Sequence, residues 1–268
     1  MQFAINYSHP SARLLSTGQL NLDRFKCPPW PDLIAEARSQ RPAAVHFNLK
    51  AGRGKLHDVD WDQIAELLEQ TDTPYVNVHL ETRAEDLPEA PIDVTEPQYR
   101  EQIAEWMLAD LRQVTRRFGT DRVIAENVPY RPTGNVLRPC VEPEIICEVI
   151  QTAGCGLLLD IAHARISAFH LGISVNEYMC SLPVDRLREL HFSGVNDLDG
   201  WLQDHMPAVE QDWSALRSAL DQIQTGAWPR PWLIAFEYGG VGEKFAHRSD
   251  PLVIEEQARQ IWNWLQPT

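Results

Sequence analysis

Short apolar runs alternate with longer amphipathic segments along this chain, the pattern of strands and helices in a parallel α/β fold. The apolar runs read as strands covered on both faces. In the segment 98–118, Ile103, Met107, Leu111 and Val114 share one face of a helix. Strands are predicted at Phe3–Tyr7, Ala44–Leu49, Tyr75–Leu80, Arg122–Glu126, Gly156–Asp160, Leu187–Phe192 and Trp232–Glu237.

Helices are predicted between these strands, and the loops that follow the strands are long. The helices are Pro31–Ser39, Trp61–Glu69, Gln98–Phe118, Pro143–Thr152, Glu177–Ser181, Trp213–Ile223 and Val253–Leu265. The loops are Lys50–Asp58, Thr82–Glu96, Pro129–Pro139, Asn196–Glu210 and Tyr238–Asp250. An eighth strand lies near Val241–Phe245, or the barrel is incomplete. The pattern predicts one α/β domain over residues 1–268, a TIM-type (β/α)8 barrel with an irregular or missing eighth strand.

Polar residues with metal-binding side chains stand where these strands end. They are His46, His79, Glu126, Asp160, His163, His191, His205 and Glu237. In a barrel, such residues face the mouth, where the active site lies. Desolvating so many carboxylates and imidazoles without a partner would be costly, and bound divalent cations remove that cost. The sequence therefore predicts a metal centre at the mouth.

The spacing of the ligands indicates more than one ion. In Asp160-x-x-His163 the carboxylate ends a strand and the imidazole follows in the loop or the first helical turn. These two side chains can reach adjacent ions about 3.5–4 Å apart, as in multi-metal sites. Glu126 lies midway through the strand order, so it is the candidate for a bridging carboxylate. Iron, zinc and manganese all accept this ligand set.

Composition indicates which partners and which cellular environment are expected for this protein. The net charge of −14 opposes nucleic-acid backbones, so nucleic-acid binding is not expected. Five cysteines without a close pair argue against a disulfide scaffold and a thiolate zinc site. There is no apolar run long enough for a membrane span and no basic signal segment at the start, which predicts a cytoplasmic protein without membrane contact.

The ordered ligands also carry a family resemblance over roughly residues 40–240. ENVPY, beginning at Glu126, resembles an EN-x-x-Y segment, and the block from Leu157 to Val195 resembles a long Asp-x-x-His block followed by a histidine. Both are similar to the multinuclear non-haem iron-dependent oxidative enzymes, formerly a family of unknown function. That family belongs to the xylose-isomerase-like barrel superfamily, which includes endonuclease IV.

The resemblance implies a xylose-isomerase-like barrel holding two to three divalent or mixed-valent ions, with iron favoured and zinc or manganese as alternatives. It implies a first ion at His46, His79 and Glu126, and a second at Glu126, Asp160, His191 and Glu237. A third would lie at His163 and His205 with an acidic partner. The superfamily writes the third pair as Asp-x-His, whereas Asp204 here is adjacent to His205. Either Asp204 joins through a shifted loop, or the third site is weak or empty.

Glu126, Asp160 and Glu237 are the candidate catalytic carboxylates. Asn127, Arg165 and Arg131 lie just beyond strand ends and are the candidate substrate contacts. The resemblance favours an oxidoreductase whose substrate is a small molecule or a cysteine-bearing peptide delivered by a partner protein. A sugar isomerase or epimerase, a zinc phosphodiester hydrolase and a non-catalytic metal-binding protein remain open alternatives.

Overall fold

The fold is a parallel sheet of nine strands that curls into a barrel, seen in a computed structural model that describes residues 1–266. Residues 267 and 268, included in the predicted domain, lie outside the described residues. The strands are Gln2–Asn6 (β1), Arg24–Cys27 (β2), Ala43–Val45 (β3), Leu49–Ala51 (β4), Val76–Leu80 (β5), Val123–Glu126 (β6), Gly156–Asp160 (β7), Leu187–Phe192 (β8), Gly194–Leu198 (β9), Trp201–Met206 (β10) and Leu233–Phe236 (β11). β9 and β10 form a separate antiparallel hairpin.

The helices lie between the strands and cover the sheet. They are His9–Ser16 (α1), Pro31–Arg38 (α2), Trp61–Thr71 (α3), Pro97–Phe118 (α4), Pro143–Ala153 (α5), Ile161–Leu171 (α6), Val175–Ser181 (α7), Glu210–Gln224 (α8) and Pro251–Leu265 (α9). Their apolar faces pack on the strands, as Met107 and Leu111 of α4 do, and these side chains are fully buried. Within residues 1–266, no helix is both long and apolar enough to cross a membrane.

The barrel closes through one interrupted strand. The sheet order is β3-β2-β1-β11-β8-β7-β6-β5-β4, so its two end strands, β3 and β4, are consecutive in the chain. Residues 46–48 separate them and make no ladder pairing of their own. The side chain of Asn77 fills this gap, because it accepts from the Phe47 N–H at 2.7 Å and donates to the Phe47 carbonyl at 2.9 Å. His46 still donates its backbone N–H to the Cys27 carbonyl of β2 at 2.9 Å, which holds it at the mouth beside the gap.

The (β/α)8 prediction is confirmed, and its uncertain strand is found elsewhere in the chain. The missing barrel strand is β2, which lies between β1 and β3. The predicted position at Val241–Phe245 is wrong: that region is a loop leading into a 3-10 helix at Glu243–Arg248. The short run RFKC carries two charged residues, which hid its strand character.

Three further elements depart from the sequence expectation. Helix α1 was not predicted. The predicted loop Asn196–Glu210 contains most of the β9–β10 hairpin. Helix α6, which was not predicted, begins directly after β7 and ends at Gly172, whose φ of +73° suits a residue without a side chain. Its sequence is apolar almost all round, so no helical periodicity marked it.

Candidate metal centre

Glu126 lies at the centre of the barrel mouth, at the end of β6, and is 1% exposed. Its Oε2 is 3.2 Å from Nε2 of His79 and 3.5 Å from Nε2 of His46. Its Oε1 is 3.6 Å from Nδ1 of His163 and 3.8 Å from Nδ1 of His191. One carboxylate therefore faces imidazoles on both sides, which is the position that a ligand bridging two ions needs.

Asp160 connects the end of β7 to the start of α6. Its Oδ1 accepts from the backbone N–H of His163 at 2.7 Å and caps the helix. Its Oδ2 lies 3.8 Å from Nδ1 of His163 and 4.0 Å from Nδ1 of His191. The cap fixes the carboxylate so that its second oxygen faces the centre, and it places His163 in the first turn beside it.

A bulge in the β9–β10 hairpin brings two consecutive residues to the same site. The pairing register shifts between Gln203 and Met206, and His205 has a φ of +54°. Asp204 Oδ2 is 3.2 Å from Nε2 of His163 and 3.9 Å from Nε2 of His205. In a regular strand, neighbouring side chains point to opposite faces. The left-handed residue therefore explains how the adjacent Asp204 stands in for the expected Asp-x-His spacing.

His191, in β8, and Glu237, directly after β11, complete a ring of candidate ligands around Glu126. Nδ1 of His191 is 3.2 Å from Oε1 of Glu237, while its Nε2 bonds Oε1 of Glu189 at 2.8 Å. Lys26 of β2 also enters the centre, pairs with Glu237 and lies 3.4 Å from Nδ1 of His191. The Lys26 side chain is 4% exposed. A buried ammonium group thus shares the site with the candidate ligands.

Hydrogen bonds of Nδ1 to backbone carbonyls fix the tautomers of two other imidazoles, His79 with Leu49 at 3.0 Å and His205 with Glu237 at 2.8 Å. His163 differs, because its Nδ1 lies 2.8 Å from the Asn127 carbonyl but also faces Glu126 and Asp160, while its Nε2 faces Asp204. A carbonyl can only accept, so we assign the proton to Nδ1 in the rings of His79 and His205. This assignment leaves Nε2 free to bind, and metal-ligating histidines are held in the same way.

Neighbouring charges outweigh burial at two central groups, Glu126 and His163. Burial raises the pKa of Glu126, but the imidazoles of His79 and His46 hold it well below its usual value. Burial lowers the pKa of His163, but the carboxylates of Asp160, Asp204 and Glu126 together outweigh it and raise the pKa to about 10. At His46 and His205 burial dominates and lowers the pKa, that of His205 to about 4. Without a metal, protons thus compensate the carboxylates, and a bound cation would take their place.

The donor atoms fit a metal centre. Among residues 1–266, Oε2 of Glu126 and Oδ2 of Asp160 are buried without any hydrogen-bond partner, a costly state for charged oxygens. Three sets of ligand atoms each lie within 4.8 Å of one another: His46–Glu126–His191, Glu126–Asp160–His163 and Asp160–His191–Glu237. Mixed nitrogen and oxygen donors at this spacing suit iron, zinc or manganese.

A cavity of about 550 Å³ opens above these ligands. Tyr7, Trp30 and Phe245 line it, and half of the Trp30 surface is exposed. Arg248 lines the same cavity, with its guanidinium 4.4 Å from the centre of the Phe245 ring. Its Nε has no hydrogen-bond partner within residues 1–266. The cavity therefore offers apolar walls and one cationic group to a substrate.

The three predicted substrate contacts do not line this cavity. The Asn127 side chain bonds both backbone groups of Asp160, at 2.9 and 3.0 Å, and so ties β6 to β7. Arg165 pairs with Asp212. Arg131 donates to the Leu202 carbonyl at 2.6 and 2.8 Å. Their positions after strand ends are explained by structural contacts, so the geometry does not support a substrate role for them.

Sequence reasoning missed three polar residues of the site: Lys26, Glu189 and Arg248. Glu189 lies two residues before His191 on the same buried strand. Because every second residue of a strand points to the same face, this spacing was the available signal. Lys26 was missed together with its strand. Arg248 lies in a 3-10 segment where no periodicity marks the direction of a side chain.

Comparison with known proteins gives the relatives of this chain. A UPF0276 protein of Acaryochloris marina is 26% identical over 215 residues, which are 76% of this chain and 73% of that protein. A UPF0276 protein of Chromobacterium violaceum is 32% identical over 98 residues. That match spans 36% of this chain and only 34% of the length of that relative.

Solved structures share the fold. An AP endonuclease, family 2, from Brucella melitensis is similar with a TM-score of 0.57 and 14% identity, covering 96% of this chain and 98% of that chain. A xylose isomerase domain protein from Alicyclobacillus acidocaldarius is similar with a TM-score of 0.56 and 16% identity, covering 98% of both chains. At this identity the likeness concerns the barrel and its topology.

The barrel and the ring of ligands define a metal-dependent TIM-barrel enzyme. The family model described as RiPP precursor modification enzyme MbnB/TglH/ChrH matches residues 27–234, well over half of the chain. The chain belongs to this family. The predicted family resemblance is thereby confirmed.

Proposed function

We propose that this chain is a multinuclear non-haem iron enzyme that oxidises a side chain of a peptide substrate with O2. The observation that carries the proposal is the pair of orphaned carboxylate oxygens of Glu126 and Asp160, which lie among imidazoles. These donors would hold at least two ions, with Glu126 between them. Membership of a family that modifies RiPP precursors supports a peptide as the substrate.

When bound, iron would supply the one-electron chemistry that couples oxidation of a substrate to reduction of O2. The chain's own residues would prepare the site for this. The backbone carbonyls of Leu49 and Glu237 keep the Nε2 atoms of His79 and His205 available as ligand atoms. The negative charge of Glu126 and Asp160 favours cations of high charge, and burial keeps these carboxylates away from bulk water.

The cavity indicates how a peptide would be held. Trp30 and Phe245 give apolar contact area at its wall, and Arg248 gives a charge that can pair with a carboxylate of the substrate. A cysteine-bearing segment in an extended form would enter from the open side and place its thiol near Glu126. Delivery of the peptide by a partner protein belongs to the same proposal.

Metal analysis and O2 uptake together test the proposal. Protein purified under anaerobic conditions without chelators should contain iron as its main metal, and an Fe(II)/Fe(III) mixture should be visible by Mössbauer spectroscopy. O2 consumption should depend on a cysteine-bearing precursor peptide. The same protein reloaded with zinc is the matched control and should not consume O2.

Other outcomes would replace the proposal. Zinc as the native metal, with phosphodiester hydrolysis, would make the chain a hydrolase. A single manganese ion, with turnover of a hydroxy-carbonyl compound, would make it an isomerase. Protein that binds no metal, even after reconstitution, would leave no metal chemistry to assign.

A further inference from the structure

Lys26 lies where the ring of ligands would be expected to hold a cation. It is the middle of β2, between the buried Phe25 and Cys27, and its side chain points into the barrel mouth. Its ammonium group pairs with Oε1 of Glu237 and lies 3.4 Å from Nδ1 of His191. The ammonium therefore contacts two groups whose lone pairs would otherwise bind a metal.

These two groups occur together in one of the three sets with metal-binding spacing, Asp160–His191–Glu237. His191 also belongs to the set around His46 and Glu126, where Nε2 of His79, 3.2 Å from Glu126, can serve instead. A divalent ion bound by the same two ligand atoms of His191 and Glu237 would lie close to the ammonium nitrogen of Lys26. The two positive charges would repel each other strongly. The lone pair of Glu237 Oε1 cannot point at both. The site therefore holds either the Lys26 ammonium or an ion.

No other carboxylate of the ring is paired directly with a lysine or arginine in the described part of the chain. Within residues 1–266, Glu126, Asp160 and Asp204 form ion pairs within 4.0 Å only with histidines, and Oδ1 of Asp204 also accepts from the Gln203 side chain at 2.8 Å. These imidazoles can release their protons and bind an ion, which an ammonium group in the same place would block. The position at His191 and Glu237 therefore already contains a positive charge, that of Lys26. The two positions beside Glu126 contain no lysine or arginine among the described residues.

We propose that Lys26 replaces one metal ion, so that this chain binds two ions where its ligand ring has room for three. One ion lies beside His46 and His79 and the other beside Asp160 and His163, and both contact Glu126. The Lys26 ammonium compensates Glu237 in place of the remaining ion. This inference rests on the proposed metal-dependent function and adds to it the number of ions and the residue that sets the number.

The test is metal stoichiometry, measured on wild-type protein and on two neutral variants, Lys26→Met and Lys26→Gln. Each protein is loaded anaerobically with excess Fe(II), freed of unbound metal and analysed by mass spectrometry. Wild type should hold about two irons per chain and both variants about three, because Glu237 and His191 become available. Circular dichroism identifies variants that are folded, and either folded variant suffices.

Anomalous scattering from crystals of the iron-loaded wild type tests the same inference without any substitution. It should show two peaks near Glu126 and none among Asp160, His191 and Glu237. A third peak there overturns the role of Lys26 but leaves the proposed function standing. Folded variants that stay at two irons overturn it as well. A wild-type protein that binds no iron overturns the proposed function itself.

Discussion

Buried carboxylates in this molecule fall into two groups that are satisfied in different ways. Asp110 accepts from three successive backbone N–H groups, those of residues 52, 53 and 54, at 2.8, 3.1 and 2.9 Å. Asp212 pairs with Arg165 and accepts from the Val209 N–H at 2.8 Å. Donors from the protein surround these side chains, and they hold loops in place.

Two carboxylates at the barrel mouth, Glu126 and Asp160, each keep one oxygen without such a donor among residues 1–266. Oxygens of Glu126 and Asp160 are as deeply buried as those of Asp212, yet one oxygen of each has no hydrogen-bond partner within the described residues. The groups nearest to them are imidazoles, which can themselves bind a cation. Burial of a charged side chain does not by itself indicate a functional site, because the protein can supply its partners. A buried charge without a partner does indicate such a site.

Glu126→Gln should give the largest effect and the sharpest test of this difference. The amide keeps the shape but loses the charge shared by the ions on both sides, so the metal content should fall by about two ions per chain and activity should fall to background. His205→Ala, at the edge of the ring, should affect only one ion. Mass spectrometry of metals in the purified variants measures both.

The exposed Glu66→Gln on α3 is the matched control, and it should keep the metal content of wild type. Full metal loading of Glu126→Gln would contradict the central position given to this carboxylate. The two groups of buried carboxylates would then no longer differ in what they bind.

Asp212→Asn should produce the opposite profile: a large loss of stability with unchanged metal content. Removing the charge leaves Arg165 without its partner and weakens the start of α8, which should cost about 1–3 kcal/mol in the free energy of unfolding. Chemical denaturation of the metal-free proteins gives this value. Asp62→Asn, which breaks an exposed pair with Arg117, should cost less than about 1 kcal/mol. Loss of metal from Asp212→Asn would contradict the distinction between carboxylates that hold loops in place and carboxylates that bind metal.

A site residue can be predicted from the sequence when the residues beside it in the chain form a recognisable pattern. Glu126 and Asp160 end apolar runs, so both their strands and the edge they face could be predicted. Asp204 could not be placed, because its direction depends on the left-handed backbone of His205. Lys26 was also hidden, because its partner Glu237 is 211 positions away along the chain. Contacts of that range are set by the closed barrel and leave no local pattern.

Glu189→Gln tests whether a carboxylate behind the ring acts through the ligand in front of it. The amide can still accept from Nε2 of His191, but it lacks the charge that makes the imidazole a better donor. In the Lys26→Met background, where His191 is available as a ligand, the affinity for the additional ion should fall about tenfold, the lower end of the range for such partners. Competition with a chelator of known affinity measures this change. Glu66→Gln in the same background should leave this affinity unchanged, and an unchanged affinity with Glu189→Gln would show that Glu189 serves packing alone.

The smallest effect should come from the ion pairs of the loop after β4. Burial raises the pKa of Asp86, but its hydrogen bonds to Arg53 and Lys55 outweigh burial and lower it below the usual value. A carboxyl whose pKa is lower in the folded chain than in the unfolded chain stabilises the fold above its ordinary pKa, about 3.9. That contribution is lost as the pH falls through the folded-state value. Asp86→Asn should therefore cost about 1 kcal/mol near neutral pH and flatten the acid part of the stability curve.

Denaturation of metal-free protein at a series of pH values measures this slope without a contribution from metal release. Asp58→Asn is the control, because 88% of that side chain is exposed, and it should keep the slope of wild type. Metal content at neutral pH should be the same in both variants, since the Asp86 pairs lie apart from the ring of ligands. A loss of metal in Asp86→Asn would mean that the satisfied carboxylates also shape the centre, and the two groups would then have to be treated as one electrostatic unit.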